Sequence, residues 1–447
     1  MGKKLADYFK LEEKNTNVKT EVLAGISTFL TMAYIIIVNP VIISNTGMSF
    51  SGVLFATVLV CAISSILMGL YANLPFGLAP GMGINALFTF TIVLGMKVPW
   101  ETALGAVFIS GIVFIILSVT KIRELIVKAI PLSIRYAVAS GIGIFLALIG
   151  LKSVGFIVSN PATMVGFGGI TPQLLIFVFG LFFTGFLVIK RIKGSLIIGI
   201  VTTSIIALIV SFIMTGSGKA GFVRMPEGIF ALPTLDVFFK LDILGALQIG
   251  MIMPIFTLLF TDMFDSISTF VGIAEVGGFV DKETGQPENV GKALLVDAVS
   301  TTISGLFGTS SGTTYIESAA GVEEGGRTGL TAIVTGLLFI PFMFFSPILS
   351  FIPEVATAPI LVLIGLFMMK PLLKINWGDF EEAIPAMLSF ILIPLTYSIT
   401  QGIVWGFLSY TIIKVLMGKF KEISVTLWLI NIFAVISLVL TVVKDAF

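Results

Sequence analysis

The sequence predicts an all-α polytopic membrane protein, and three observations carry that prediction. Of the 447 residues, 57% are hydrophobic and only 11% charged, where an ordinary soluble domain carries about 25% charged residues. Apolar runs approach the roughly 20 residues a helix needs to cross a hydrocarbon core about 30 Å thick, and they recur along the whole chain. The Lys and Arg residues between these runs fall mainly on one side of the membrane. The apolar segments lie near 22–40, 52–72, 83–96, 101–120, 131–150, 172–189, 194–214, 243–273, 292–307, 315–322, 326–351, 354–370, 382–400 and 401–418. A further run at 424–443 is long enough to span, so it either places the carboxyl terminus outside or packs against a fourteen-helix core.

Residues 1–21 are polar and charged with no apolar stretch of the kind a cleaved signal peptide carries. They read as a cytoplasmic amino-terminal segment. Residues 22–214 hold seven segments and 243–418 seven more, with 215–242 as an extracellular linker and 419–447 as a carboxy-terminal hydrophobic segment. Placing the amino terminus in the cytoplasm leaves Lys97, Lys152, Lys219, Arg224, Lys240 and Lys444 outside and the rest of the 26 Lys and Arg residues inside, as the positive-inside rule requires. The net charge of +1 offers no basic field for nucleic acid. Cys61 is the sole cysteine and histidine is absent, which excludes a disulfide framework and histidine-based metal or proton chemistry. Carboxylates must handle any protons.

Seven spans are an odd number, so seven repeated in order give halves of opposite topology, the inverted arrangement common among secondary transporters. Such proteins bind solutes where broken segments from each half meet near the bilayer midplane. The third segment, PFGLAPGMGINALF, packs Pro75, Gly77, Pro80, Gly81 and Gly83 into nine residues and cannot be one continuous helix. Its counterpart in the second half, GLFGTSSGTTYIESAAG, is broken by Gly305, Gly308, Gly312 and Gly321 around a Ser/Thr run. The run Ile26-Ser27-Thr28-Phe29 in the first segment recurs as Ile267-Ser268-Thr269-Phe270 in the eighth, at matching places in the two halves.

An ionisable side chain at membrane depth costs about 2.5 to 3.5 kcal/mol even on the lenient insertion scale, so it marks a site or pathway. In the eighth segment Asp262 and Asp265 lie three apart, on one helix face. Two carboxylates so close in a low dielectric are not both ionised, which makes the pair a proton carrier at neutral pH. The alternative for this pair is a solvated helix end. Glu317 stands where an extended stretch gives way to a half-helix, whose free N–H groups favour its anion by about 0.3 to 1 kcal/mol against a burial cost of several. With no cation in these segments, the natural partner is a proton or a neutral heterocycle whose N–H groups bridge the carboxylate oxygens. Asn85 occupies the corresponding place in the first half and either reads the polar edge of that ligand or caps the half-helix that follows. Phe88 either stacks on a ring or serves packing. Asp297 has a supporting role, near a helix end or as a hydrogen-bond partner between helices.

The blocks EVLAGISTFLTMAYIIIVNP, GLAPGMGINALFTF, FTDMFDSISTFVGIAE and GTTYIESAAGVEEGGRTGLTA, in that order, resemble the purine permeases, the adenine/guanine/hypoxanthine branch of the nucleobase-cation symporter 2 group. The likeness covers essentially the whole chain. It implies a fold of fourteen helices in two inverted seven-helix repeats, divided into core and gate domains, with short strands opening the third and tenth segments. It also implies purine import by proton symport, with Asn85, Asp262 and Glu317 contacting substrate and Asp265 as the second carboxylate of the eighth helix. Uracil-branch relatives carry a Glu and a His there, and this chain has neither. The protein is thus expected to be a plasma-membrane, multi-pass permease with no cofactor. Asp262, Asp265 and Glu317 are the proton-coupling residues; sodium is the alternative ion, and a homodimer is compatible with the fold. Rival readings are a same-fold transporter of xanthine, uracil, an anion or another small solute, and an intramembrane aspartate hydrolase. The hydrolase needs carboxylates from two helices facing one bond, whereas Asp262 and Asp265 share a helix. An anion requires a cation near the broken segments, and the sequence places none there.

Overall fold

The computed structural model describes residues 2–120, 130–216, 221, 223, 228–279 and 289–446. Parts of the expected 215–242 linker lie outside these residues, as do Lys121, Arg123, Lys128, Lys219, Arg224 and Lys282 of the charge count. In chain order the elements are α1 (Gly2–Phe9), α2 (Val18–Met32), α3 (Ile35–Ser44), α4 (Phe50–Leu67), β1 (Leu78–Pro80), α5 (Met82–Ala86), α6 (Trp100–Thr120) and α7 (Leu132–Ser153). A hairpin of β2 (Ile157–Asn160) and β3 (Met164–Phe167) leads to α8 (Pro172–Ile189), α9 (Ser195–Gly216) and the short α10 (Ile243–Ala246). The second half runs through α11 (Ile252–Gly277), α12 (Val290–Phe307), β4 (Gly312–Thr314), α13 (Ala319–Glu323), α14 (Gly329–Phe339) and α15 (Ser346–Leu349). It ends with α16 (Glu354–Met368), α17 (Phe380–Thr396), α18 (Ile399–Leu416) and α19 (Val425–Ala446).

Among the described residues, ten helices are long and apolar enough to cross a membrane. The other expected segments differ for identifiable reasons. The third and tenth are strands followed by half-helices, α14 tightens into a 3-10 turn over Ile340–Phe344, and α17 is shorter, with Pro385 and Pro394 inside it. The eighth segment begins later than its apolar run suggests. Residues 243–251 form a short helix and a 3-10 turn before α11 starts at Ile252. The β2–β3 hairpin, absent from the sequence reading, is an exposed excursion closed by Asn160, whose Oδ1 accepts from the Ala162 amide at 2.9 Å.

The helices sort into two packed groups. In one, α14 packs on α2 and α4, and α12 and α11 pack on α6. In the other, α7 packs on α16 and α17, α17 on α18, and α8 on α9 and α16. Small residues bring backbones together within each group, as packing between helices in lipid requires. A Cβ on Gly365 would stand 2.4 Å from the Gly143 carbonyl oxygen, and one on Gly143 would stand 2.5 Å from that of Gly365. Fewer contacts cross between the groups, chiefly from α11 to α18 and α7, from α5 to α7 and from α2 to α9. Lys193 and Glu324 form an ion pair across this seam.

At the start of α2, fully buried Glu21 caps the amino terminus of α14 across the fold. Its Oε1 accepts from the Arg327 amide at 2.8 Å, and its Oε2 accepts from Thr331 Oγ1 at 2.6 Å and from the Thr328 and Thr331 amides at 3.3 Å. These groups would otherwise be unpaired donors opening α14. Glu21→Ala is expected to destabilise the protein by about 1.5 to 3 kcal/mol, the range for hydrogen bonds to a charged group. A lowered melting temperature in detergent would show it, and an unchanged one would remove Glu21 from the fold's support.

Candidate functional site

The geometry of the site begins with two strands too short to stand alone. β1 pairs antiparallel with β4, Leu78 opposite Thr314, Ala79 opposite Thr313 and Pro80 opposite Gly312. The pairing extends through Gly81 N to Ser311 O and Tyr315 N to Gly77 O, both at 3.0 Å. Backbone groups at this depth need partners. Neighbouring serines supply the remainder: the Leu78 amide donates to Ser65 Oγ at 2.9 Å, the Gly77 amide to Ser318 Oγ at 2.9 Å and the Gly312 amide to Ser304 Oγ at 3.1 Å. Gly312 is required here, because a Cβ would meet Ser300 Oγ at 2.2 Å and Val60 Cγ1 at 2.9 Å. The strands set α5 and the 3-10 turn Ile316–Ser318 at opposite ends of the pair, each against α11.

Asp262 and Asp265 occupy the middle of α11 rather than a solvated end. Asp262 is 1% exposed. Its Oδ2 accepts from Thr301 Oγ1 on α12, while its Oδ1 is buried without a hydrogen-bond partner among the described residues. Asp265 is half-buried one turn on, close enough to Glu317 for the two carboxylates to repel one another. Asp297, fully buried on α12, also interacts electrostatically with Asp262 and Asp265. Ser266 Oγ donates to its Oδ2 and Thr314 Oγ1 to its Oδ1 at 3.1 Å, which makes it the hydrogen-bond link between helices and strand. Ser266 and Thr313 hydroxyls lie 2.6 Å apart in the same network.

Glu317 is half-buried on the 3-10 turn after β4. The Tyr34 hydroxyl donates to its Oε1 at 2.7 Å, and Thr31 Oγ1 donates to its carbonyl at 3.2 Å. Tyr34 reaches it because the first span breaks at Ala33–Tyr34, between α2 and α3. Asn85 is fully buried and its Oδ1 accepts from Ser310 Oγ. The capping alternative for Asn85 fails, because Gly81 holds the N-cap of α5 and Asn85 is inside it, its amide bonded to Gly81 O at 2.8 Å. Phe88 lies fully buried in the main apolar core, at the start of the π-helical stretch Leu87–Gly95. Five positions named from sequence therefore fall on elements gathered around one strand pair, with Asp262, Asp265 and Glu317 drawn into a single electrostatic neighbourhood.

Sequence reasoning missed Tyr34, Thr301, Ser310 and Arg135. The Tyr34 hydroxyl was visible as a lone polar tip in the run AYIIIV, but nothing local aims it at Glu317. Arg135 belongs to α7 of the other helix group, yet its guanidinium lies over the Phe264 ring at 5.0 Å, beside the Asp pair in sequence. No group of three or more Asp, Glu or Cys side chains among the described residues is arranged to hold a metal ion. The arrangement offers one unsatisfied carboxylate oxygen, a second carboxylate on an opposing element and several hydroxyls. It suits a small ligand presenting N–H donors.

Comparison with known proteins agrees with this architecture. An adenine permease of Escherichia coli, AdeP, is 39% identical over 417 residues, covering 93% of this chain and 92% of its own. A guanine/hypoxanthine permease of Bacillus subtilis, PbuO, is 38% identical over 420 residues, covering 93% and 96%. The solved transmembrane domain of the bicarbonate transporter BicA from a cyanobacterium shares the fold, with a TM-score of 0.65 and 18% identity over 86% of this chain and 97% of that one. The protein is a multi-pass membrane permease and not an enzyme, which sets the hydrolase reading aside. Residues 19–405 match the model of the Permease family, Xan_ur_permease, and the chain belongs to that family.

Proposed function

We propose that this protein imports purine nucleobases (adenine, guanine or hypoxanthine) across the plasma membrane by proton symport with alternating access, its amino terminus in the cytoplasm. The observation that carries this reading is the buried Oδ1 of Asp262, without a hydrogen-bond partner among the described residues, on the helix whose Asp265 lies near Glu317. A buried carboxylate oxygen left unsatisfied costs free energy that a proton or an N–H donor relieves. Asp262, Asp265 and Asp297 lie within electrostatic reach of one another, an arrangement in which a bound proton relieves repulsion between carboxylates. The names of the relatives AdeP and PbuO supply the substrate class, and each of these purines carries ring N–H donors, in guanine beside an exocyclic amino group, that carboxylate oxygens accept.

In this mechanism a proton joins the Asp262/Asp265 pair and the purine bridges Glu317 and the amides at the broken segments. Neutralisation lowers the cost of closing the site, and the two helix groups then move against each other to release both solutes inward. Radiolabelled hypoxanthine uptake into proteoliposomes tests it. An acid-outside pH jump is expected to drive accumulation above equilibrium, a protonophore to collapse it, and unlabelled adenine or guanine to compete. Accumulation that follows an imposed sodium gradient and ignores pH would replace the coupling ion; no uptake of any nucleobase would end the reading.

A further inference from the structure

Apart from the carboxylate site, a cavity of about 360 Å³ opens between the two helix groups where α3, α7 and α17 end and α16 begins. This is within the size range of small-molecule sites. The first group contributes Asn45 and Phe90, and the second Lys152, Glu354, Thr357 and Tyr397. We infer that this cavity is an outer binding subsite for the same purine, occupied on the way to Asp262 and Glu317. The inference rests on the import reading above.

An unsatisfied hydroxyl points to a ligand. The Tyr397 hydroxyl is buried with no hydrogen-bond partner among the described residues. Tyr397 is the left-handed C-cap of α17, with φ 55° and its amide bonded to Ile393 O, which fixes its ring at the helix end beside the cavity. Its backbone is held by the broken third segment, for Thr91 Oγ1 lies 3.4 Å from both the Tyr397 carbonyl it donates to and the Ile399 amide it accepts from. The π-helical stretch Leu87–Gly95 that carries Thr91 and the cavity-lining Phe90 begins directly after α5, which bears Asn85. One continuous element thus joins the cavity to the inner site.

The lining suits a neutral planar heterocycle. Phe90 is half-buried and supplies an aromatic surface, the Tyr397 hydroxyl an unsatisfied donor and acceptor, and the exposed Lys152 and Glu354 one donor and one acceptor at the rim. Lys152 Nζ stands 4.8 Å above the Tyr397 ring and must swing aside for a ring to stack there. An anion would be repelled by Glu354 and a cation by Lys152, whereas a purine meets both through its ring nitrogens and exocyclic groups.

The test compares uptake by wild type, Tyr397→Phe and Lys152→Gln in proteoliposomes across a range of hypoxanthine concentrations. Tyr397→Phe removes only the hydroxyl, and loss of one hydrogen bond of ordinary strength raises the half-saturating concentration about 3- to 10-fold. The rate at saturation should change much less, which a structural defect would not spare. Lys152→Gln, exposed at the rim, is expected to act in the same direction and keeps the test open if Tyr397→Phe fails to assemble. Detergent-solubilised Glu317→Gln protein should retain weak equilibrium binding of labelled hypoxanthine that Tyr397→Phe then removes. Wild-type transport with unaltered half-saturation in both variants and no residual binding to Glu317→Gln would overturn the subsite while leaving the import reading intact. Absence of wild-type transport would overturn both.

Discussion

Glu317→Ala and Asp262→Asn are each expected to abolish accumulation of labelled hypoxanthine while the protein remains in the membrane at wild-type abundance. Glu317 joins the first span to the turn after β4 through the Tyr34 hydroxyl at 2.7 Å. A ligand that bridges both carboxylate oxygens makes two hydrogen bonds to a charged group, each worth about 1.5 to 3 kcal/mol. Losing both reduces affinity by roughly a hundredfold to ten-thousandfold. Asp262→Asn preserves volume and the bond from Thr301 but ends proton exchange at that position. Facilitated exchange of purine without concentration is therefore the expected residue of activity in Asp262→Asn, and neither exchange nor concentration in Glu317→Ala. Proton-driven accumulation retained by both variants would remove these residues from the mechanism.

Gly365→Leu is expected to cost the protein its fold rather than its chemistry. The Gly143 and Gly365 backbones touch where α7 meets α16, and even one added carbon at Gly365 lies 2.4 Å from a carbonyl oxygen and 3.1 Å from Ala147 Cβ. A carbonyl on a packed helix does not yield as a flexible side chain does. Overpacking a core costs about 1 to 3 kcal/mol, and separating two helices adds the lost contacts along their length. Gly185→Leu is the matched control, because a Cβ there meets nothing within 4 Å. Membrane abundance and melting in detergent should fall sharply for Gly365→Leu and hold for Gly185→Leu. Equal behaviour of the two would show that close approach of α7 and α16 does not support the second helix group.

Much of this architecture was legible because the bilayer imposes a single rule on every segment, namely that the backbone be satisfied internally. Pro75, Pro80 and the surrounding glycines cannot obey it as a helix, and the run from Gly308 to Gly312 has the same defect, so both breaks could be read directly. Their pairing with each other could not, because register across more than two hundred residues leaves no local mark. Asp262 and Glu317 announced themselves by the cost of charge in hydrocarbon. Tyr34, Thr301 and Ser310 did not, since a hydroxyl in an apolar run is cheap to bury and is often bonded to its own helix. Arg135 was counted among the inside cations, and only the packing of α7 against α11 carries it over Phe264. Asn85 was ambiguous between cap and ligand until Gly81 was found to occupy the capping position.

The strand pair constrains how the molecule is able to move. Hydrogen bonds from Gly77 through Gly81 to residues 311 through 315 stitch the first half of the chain to the second between the elements that carry Asn85 and Glu317. Pulling these two side chains apart would strip several peptide groups bare in a medium that offers them no replacement. Under the proposed mechanism these residues would therefore travel as one rigid cartridge, and any motion would fall at the thin boundary between the helix groups, where Lys193 meets Glu324.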